Sequence, residues 1–222
     1  GTYRVLVGAE QSLRWVYPNG ARPEVVRGPS GAPLLGQGIT EIVASRRQPL
    51  DVALRMAWPA TQPDGRIQSG VYRLRGNRVQ QLTSERGSTS VSYGPDGTLC
   101  LAESASLRLF SDKTDATLEL TDAQGNALDV RASSWHSWQP MLAIALEDEL
   151  LVLDLSGKLP DDAQRGSGWS QFVGLRAPGQ PKPTLHRALR LAASSKQRIT
   201  RVLWHGDRLV WTLQEPPRML TR

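Results

Sequence analysis

The sequence is poor in several residue types, and their scarcity excludes classes of protein. It has one cysteine, Cys100, two phenylalanines and three histidines in 222 residues. A single cysteine cannot form an internal disulfide, so a secreted scaffold stapled by disulfides is excluded. No apolar run reaches about 18 residues, so we expect no membrane-spanning helix. The first ten residues lack the basic and apolar regions of a signal peptide, and we expect none there.

The motifs of the common enzyme and metal-binding classes are also missing. His136, His186 and His205 are far apart and show none of the spacings of zinc ligands. There is no phosphate-binding loop, dinucleotide-binding glycine motif or nucleophile elbow. We therefore predict a protein that is not an enzyme, with no catalytic residues, no metal and no cofactor. The acidic run at 147–149 is interpreted as a solvated hairpin tip, not as a carboxylate pair or cation site.

The composition that is present describes an ordinary globular protein. Hydrophobic residues make up 39% of the chain and charged residues 22%, as in folded soluble domains. Cys100 lies inside an alternating apolar run and is interpreted as a buried strand residue, not as a reactive thiol. One cysteine fits the cytoplasm and also a bacterial periplasm, and we favour a periplasmic or cell-envelope location.

Short turn motifs divide the chain into segments of strand length. They are PNG at 18–20, PDG at 63–65, RGN at 75–77, PDG at 95–97 and QGN at 124–126. Glycine and asparagine adopt positive φ at low steric cost, which tight hairpin turns require. The alternating apolar residues between these turns predict many short strands, and hence an all-β protein.

Part of the chain repeats with an offset of 43 residues. The stretch SYGPDGTLCLAESASLRLFS at 92–111 is echoed by SWQPMLAIALEDELLVLDL at 137–155, and apolar residues of the two stretches coincide. Weaker copies are ITEIVASRRQPLDVALRM at 39–56 and RVLWHGDRLVWTLQ at 201–214. A period of about 40–50 residues with about four strands per unit is typical of β-propeller blades.

These stretches resemble the blades of WD40-type and TolB-type propellers, above all over residues 39–155. In those families an aromatic or small residue precedes a P-D-G turn, a buried strand with small residues follows, and the next strand ends near aspartate. Phe110-Ser111 and Leu153-Asp154 stand where WD40 repeats have Trp-Asp. The looser propellers of bacterial periplasmic proteins and lipoproteins are therefore the nearer match. The resemblance implies an all-β β-propeller of four-stranded antiparallel blades.

The expected organisation is a single propeller domain over 1–222, with about four to five blades, or a fragment of a larger propeller. We expect strands within 199–213 to complete the first blade, because this would close the ring and satisfy exposed strand edges. The stretch 157–200 is longer than a blade connection and is interpreted as an insertion. The expected blades lie roughly at 1–30, 38–84, 88–130, 131–176 and 199–222.

Seven tryptophans supply most of the aromatic surface. Trp15, Trp135 and Trp204 are interpreted as core residues between blades. Trp138 precedes a turn and Trp169 lies in a loop rich in glycine and serine. Both are therefore candidate exposed anchors for a protein partner or stacking platforms for a sugar.

Positive charge is concentrated near the C-terminus. Residues 176–222 contain ten Lys or Arg against two acidic residues, in a chain of net charge +6. The stretch 181–198 is either a short helix with its charges facing outward, or a loop or strand inserted into a blade. As a helix it would form a patch for an acidic partner, a phosphate backbone or anionic lipid headgroups. The candidate binding residues here are His186, Arg187, Arg190, Lys196 and Arg198.

The leading functional hypothesis is a non-catalytic propeller that binds other proteins, as a scaffold or receptor module of a larger assembly. It rests on the repeat, on the missing catalytic motifs, on the candidate anchors Trp138 and Trp169 and on the basic loops. One alternative is the binding of a carbohydrate or another small ligand. The other is the binding of an anionic partner, an acidic protein or less favourably a nucleic acid, through the basic C-terminal region.

Overall fold

A computed structural model of the chain contains β-strands and turns and, in the part that it describes, no helix. The predicted all-β class is therefore confirmed. The chain forms two compact units, Gly1–Ser88 (unit 1) and Thr89–Arg222 (unit 2). The structure describes residues 4–9, 12–48, 50–62, 65, 67–84, 88–104, 106–111, 115–122, 124–136, 138–147, 149–156, 171–192 and 198–214.

Unit 1 contains two antiparallel sheets. The first has the order β1-β2-β3, and the second is a four-stranded meander with the order β4-β5-β6-β7. In the meander each strand pairs with the next along the chain, as in a propeller blade. The strands are β1 (Val5–Ala9), β2 (Ser12–Val16), β3 (Glu24–Val25), β4 (Ile39–Ala44), β5 (Asp51–Thr61), β6 (Ile67–Arg75) and β7 (Arg78–Thr83).

The two sheets of unit 1 share one core. Trp15 from β2 is buried in it, as predicted, together with leucines of β5 and β6. Buried Gln68 on β6 bonds the backbone of Leu35 from both sides, accepting from its N–H at 2.8 Å and donating to its carbonyl at 3.0 Å. One side chain thus satisfies both polar groups of a buried loop residue, which would otherwise cost free energy.

Unit 2 contains a nine-stranded antiparallel sheet and a separate two-stranded hairpin. The order in the large sheet is β12-β13-β14-β16-β15-β11-β10-β9-β8, and the hairpin is β17-β18. The strands are β8 (Ser88–Tyr93), β9 (Leu99–Glu103), β10 (Ser106–Phe110), β11 (Asp115–Thr121), β12 (Ala132–Trp135), β13 (Met141–Ala145), β14 (Glu149–Asp154), β15 (Gln171–Arg176), β16 (Thr184–Ala192), β17 (Arg198–His205) and β18 (Arg208–Gln214).

The sequence repeat corresponds to two equivalent hairpins in unit 2. Ala102 on β9 pairs with Leu107 on β10, and 43 residues later Ala145 on β13 pairs with Leu150 on β14. The strands that precede these hairpins also meet, because Ser90 Oγ on β8 lies 3.1 Å from the Oγ of its repeat equivalent on β12, Ser133. The repeat is therefore confirmed as a structural one, with identical pairing in both copies.

The turn predictions also agree with the structure. The glycine of each of the five predicted turn motifs has a positive φ. Residues other than glycine rarely adopt a positive φ. The glycines in the local sequence therefore determine where these strands end.

The predicted insertion changes how the two repeats are joined. Its described parts include β15 and β16, and β16 pairs with β14 while β15 pairs with both β16 and β11. The two repeats, β8–β11 and β12–β14, are therefore parts of one sheet. The helical alternative for 181–198 is wrong, because Thr184–Ala192 is a strand with paired neighbours on both sides. No sheet formed by the described strands is closed, so the propeller, its blade boundaries and the pairing of 199–213 with the first blade stay predictions.

The middle of the nine-stranded sheet is buried on both faces. On β13, Leu142 and Ile144 join one apolar cluster, and Ala143 and Ala145 join another on the opposite face. The second cluster includes Ile199 and Val202 of β17, so the hairpin covers that face. The predicted core tryptophans of this unit, Trp135 and Trp204, are partly buried against these clusters.

Cys100 lies fully buried on β9, as the sequence indicated. Burial raises the pKa of its thiol to about 12, because a thiolate is poorly solvated in an apolar core. We expect the folded protein not to react with Ellman's reagent at mildly alkaline pH, and one thiol to react after unfolding in guanidinium. Rapid reaction of the folded protein would contradict the buried position.

Candidate protein-binding hairpin

The predicted binding residues are dispersed in the structure. Trp138 lies in the turn between β12 and β13 with 67% of its surface exposed. His186, Arg187 and Arg190 lie on β16, and Arg198 begins β17. Trp169 and Lys196 fall outside the described residues.

Two of the predicted cationic residues are neutralised by the acidic run. Arg190 forms an ion pair with Glu149, and Arg198 Nε lies 3.0 Å from Glu147 Oε1. Glu147 and Glu149 flank the turn between β13 and β14, so their interpretation as a hairpin tip is confirmed. The basic C-terminal region is thus less available to an anionic partner than its composition indicated.

His186 does not add a stable positive charge to this region. It is partly buried on β16, and burial lowers the pKa of its side chain. The carbonyl and the carboxylate of Asp154 oppose that shift but are smaller causes. A histidine in this setting is mainly neutral at neutral pH.

A buried histidine fixes the tip of the β17–β18 hairpin. His136 is 1% exposed, and its Nδ1 accepts hydrogen bonds from the backbone N–H groups of Trp138 and Gln139, at 3.2 and 3.1 Å. The proton of the neutral ring therefore lies on Nε2, which is 3.2 Å from Oδ1 of Asp207 in the hairpin turn. The ring also contacts Trp204 edge to face, at 4.7 Å between centroids. His136 thus connects the turn of Trp138 with the hairpin tip.

The two faces of this hairpin differ in character. Val202 and Trp204 point to the inner face, toward the second apolar cluster of unit 2. Since side chains alternate along a strand, Leu203 and its cross-strand partner Val210 lie on the outer face. They are 60% and 51% exposed. We define the outer hairpin face as Arg201, Leu203, His205, Arg208, Val210 and Thr212, all of them exposed.

The outer hairpin face is positively charged around its apolar centre. Asp207 lies in the hairpin turn, outside this face, with its Oδ1 3.2 Å from Nε2 of His136. Arg198 is paired with Glu147 and lies at the opposite end of the hairpin. On the outer hairpin face itself the charged residues, Arg201 and Arg208, are both cationic and flank the exposed Leu203–Val210 pair. This arrangement suits a partner that is apolar in the middle and acidic beside it.

Strand β18 also presents an edge that no described strand occupies. The backbone N–H of Trp204 bonds Ser134 Oγ, at 3.2 Å, rather than a β18 carbonyl. Trp204 and its partner Leu209 are therefore a non-hydrogen-bonded pair, and Val202 and Trp211 are the next such pair. The N–H groups of Leu209 and Trp211 consequently point away from β17. Such an edge can accept an additional strand.

The sequence reasoning missed this hairpin as a binding candidate. The segment RVLWHGDRLVWTL contains the signal, because its alternation around a Gly-Asp turn places apolar residues on both faces. A hairpin with two apolar faces cannot bury both against one sheet. From its sequence we consider this segment for strand pairing with the first blade and not for an exposed apolar face.

Comparisons with known proteins leave the family open. No protein-family model matches the chain, and no curated protein matches it. Among solved structures it is similar to PorZ, an essential bacterial surface component of the type IX secretion system of Porphyromonas gingivalis. That similarity has 11% sequence identity and a TM-score of 0.35, and it covers 97% of this chain and 37% of the PorZ chain. A similarity of this extent supports no inference about function.

The described residues lack the features of a membrane-spanning helix and of a metal-binding cluster. They contain no helix long and apolar enough to cross a bilayer. They also contain no group of three or more His, Cys, Asp or Glu side chains arranged to hold a metal ion. The predictions on metals, cofactors and catalysis therefore stay predictions.

Proposed function

We propose that this protein is a non-catalytic binding module that recognises a partner protein through the β17–β18 hairpin. The observation that carries the proposal is the open edge of β18, beside the exposed and cationic outer hairpin face. An extended segment of the partner would pair with β18 and continue the hairpin as a third strand. The finer hypothesis, a propeller that acts as a scaffold or receptor module, stays part of this proposal.

The chemistry of the hairpin defines the partner segment. On its inner face the segment would cover Trp211 and Leu213, which are partly exposed at the β18 edge, so apolar residues fit there. On its outer face it would lie next to Arg208, Val210 and Thr212. An acidic, an apolar and a polar residue at alternating positions match these three neighbours. Trp138, beside the hairpin tip, is a further exposed anchor.

A designed peptide tests the proposal without knowledge of the natural partner. We would use a labelled nine-residue peptide with valine at its inner-face positions and glutamate, valine and threonine at successive outer-face positions, and measure its binding by fluorescence anisotropy. Trp211→Ala and Trp211→Pro form a matched pair, because both remove the ring and only proline removes the outward N–H. We expect the proline variant to bind about tenfold more weakly than the alanine variant, since one partner carbonyl loses its donor.

Equal affinities of the alanine and proline variants would overturn strand addition. So would unchanged binding by a peptide whose backbone is N-methylated on its pairing side. Light scattering over a range of protein concentrations measures whether the protein itself forms a dimer. A dimer that excludes the peptide would mean that a second copy of this chain, not another protein, covers the β18 edge.

A further inference from the structure

We propose that the outer face of the three-stranded sheet of unit 1 docks a segment of a partner protein that is apolar around one carboxylate. This sheet, β1-β2-β3, buries its inner face in the core of unit 1. Leu13 and Trp15 of β2 belong to the buried cluster, and Leu6 of β1 packs against it. Because side chains alternate along a strand, the residues between them lie on the outer face.

The outer face of this sheet is apolar on all three strands. We define the valine face as Val5 and Val7 of β1, Val16 of β2 and Val25 of β3, together with Arg14 of β2. Val5 pairs with Val16, and Arg14 pairs with Val7 on one side and with Val25 on the other. Val5 and Val7 are 54% and 45% exposed, and Val25 is exposed as well. Neighbouring exposed apolar side chains on one sheet face indicate an interaction surface.

Arg14 is the charged residue of the valine face and lies on its middle strand. Its Nε donates to Ser12 Oγ at 2.9 Å, which orients the guanidinium. No carboxylate of a described residue pairs with Arg14. Because Nε is engaged, the two terminal nitrogens Nη1 and Nη2 are the ones that can bind both oxygens of one carboxylate from outside.

The position of Arg14 specifies what covers the valine face. A partner that covers Val7 and Val25 must also remove Arg14 from water, because Arg14 lies between them. A guanidinium buried without a counter-charge is costly, and a carboxylate bonded to it offsets much of that cost. The occupant is therefore a protein segment with apolar side chains around one Asp or Glu. A second copy of this chain fits less well, because its valine face brings another arginine and no carboxylate.

A designed helix serves as the probe, because a helix with one apolar stripe packs on a sheet face. It is a fluorescein-labelled peptide of about four turns, with leucines on one face around a single glutamate, and its matched version has glutamine at that place. We expect the full chain to bind the glutamate peptide about tenfold more tightly, measured by fluorescence anisotropy. Arg14→Gln should remove this preference. Arg22→Gln replaces an exposed arginine of unit 1 outside the valine face and should keep it.

The valines are tested separately from the charge. Val5→Thr/Val7→Thr keeps the branched side chains that suit a strand but makes them polar. It should weaken the binding of both peptides about tenfold, because less apolar surface is buried. The control Leu203→Thr/Val210→Thr changes two exposed apolar residues of the outer hairpin face in unit 2 and should bind as the wild type does. A failure of this inference is therefore distinguishable from a failure of the β18 proposal.

Four outcomes would overturn the inference. Absence of binding of both peptides by the wild type would show that the valine face does not dock such a segment. Equal affinities of the wild type for the two peptides would show that Arg14 selects no carboxylate. An equal loss in the hairpin control would show that the peptides bind exposed apolar surface without specificity. A dimer in light scattering that Val5→Thr/Val7→Thr dissociates would show that a second copy of this chain covers the face.

Discussion

Replacing Asp51 with alanine is expected to lower the free energy of unfolding of unit 1 by about 3–5 kcal/mol. Asp51 is 2% exposed and accepts hydrogen bonds from Arg73 through both of its oxygens and from Arg75 Nε at 2.9 Å. The side chain of Arg73 is almost equally buried. Without the carboxylate, its guanidinium would stay buried without its counter-charge, which is the costly part of breaking a buried ion pair.

Two variants separate this effect from simple loss of charge. Arg75→Gln removes only the outer, partly exposed partner, so the loss should be about 1 kcal/mol or less. The double variant Asp51→Leu/Arg73→Met removes both buried charges and should recover most of the stability. Urea unfolding gives the total change, and hydrogen exchange of peptides from β5 and β6 reports it locally. A loss below about 1 kcal/mol for Asp51→Ala would contradict the buried pair.

The local parts of the fold were predictable from the sequence. Alternation and Gly-containing turns are properties of neighbouring residues, so they define strands and hairpins without knowledge of the rest. The repeat also indicates the register of strand pairing. Cys100 pairs with Leu109, and at the equivalent position of the second copy Ala143 pairs with Val152. A small residue opposite a large one in both copies is what a shared packing environment selects.

The joining of the two repeats of unit 2 through β15 and β16 was not predictable in the same way. Leu185 and Leu189 on β16 fit the spacing of a helix face and also that of a strand. The choice depends on β14 and β15, which offer hydrogen bonds on both sides of this segment. The partner strand β14 is distant in sequence, and no local pattern identifies it. The fold of 184–192 is therefore a consequence of tertiary pairing.

The charge balance at the candidate site was not predictable from the sequence for the same reason. A count along the chain finds a basic C-terminal region, but Arg190 and Arg198 are balanced by Glu149 and Glu147 in the fold. Pairing in space, not charge per segment, determines where an anionic partner finds unbalanced positive charge.

Replacing Gly70 with alanine should destabilise unit 1 by about 2–5 kcal/mol. Gly70 lies in β6 with φ +83°, a conformation that costs a residue with a Cβ about 1–2 kcal/mol. A Cβ at this position would also lie 1.9 Å from the carbonyl oxygen of Thr83 on β7. Because that atom belongs to the backbone, β7 must move and part of its pairing with β6 is lost.

Gly20→Ala is the matched control for Gly70→Ala. Gly20 belongs to the same unit and has φ +77°, but a Cβ there would meet no atom within 4 Å. It should therefore show only the conformational cost of about 1–2 kcal/mol. The difference between the two losses, measured by urea unfolding, isolates the clash with Thr83, and hydrogen exchange of 78–83 should rise only in Gly70→Ala. Equal losses would mean that β7 moves aside freely, and then the fourth strand of this meander contributes little to unit 1.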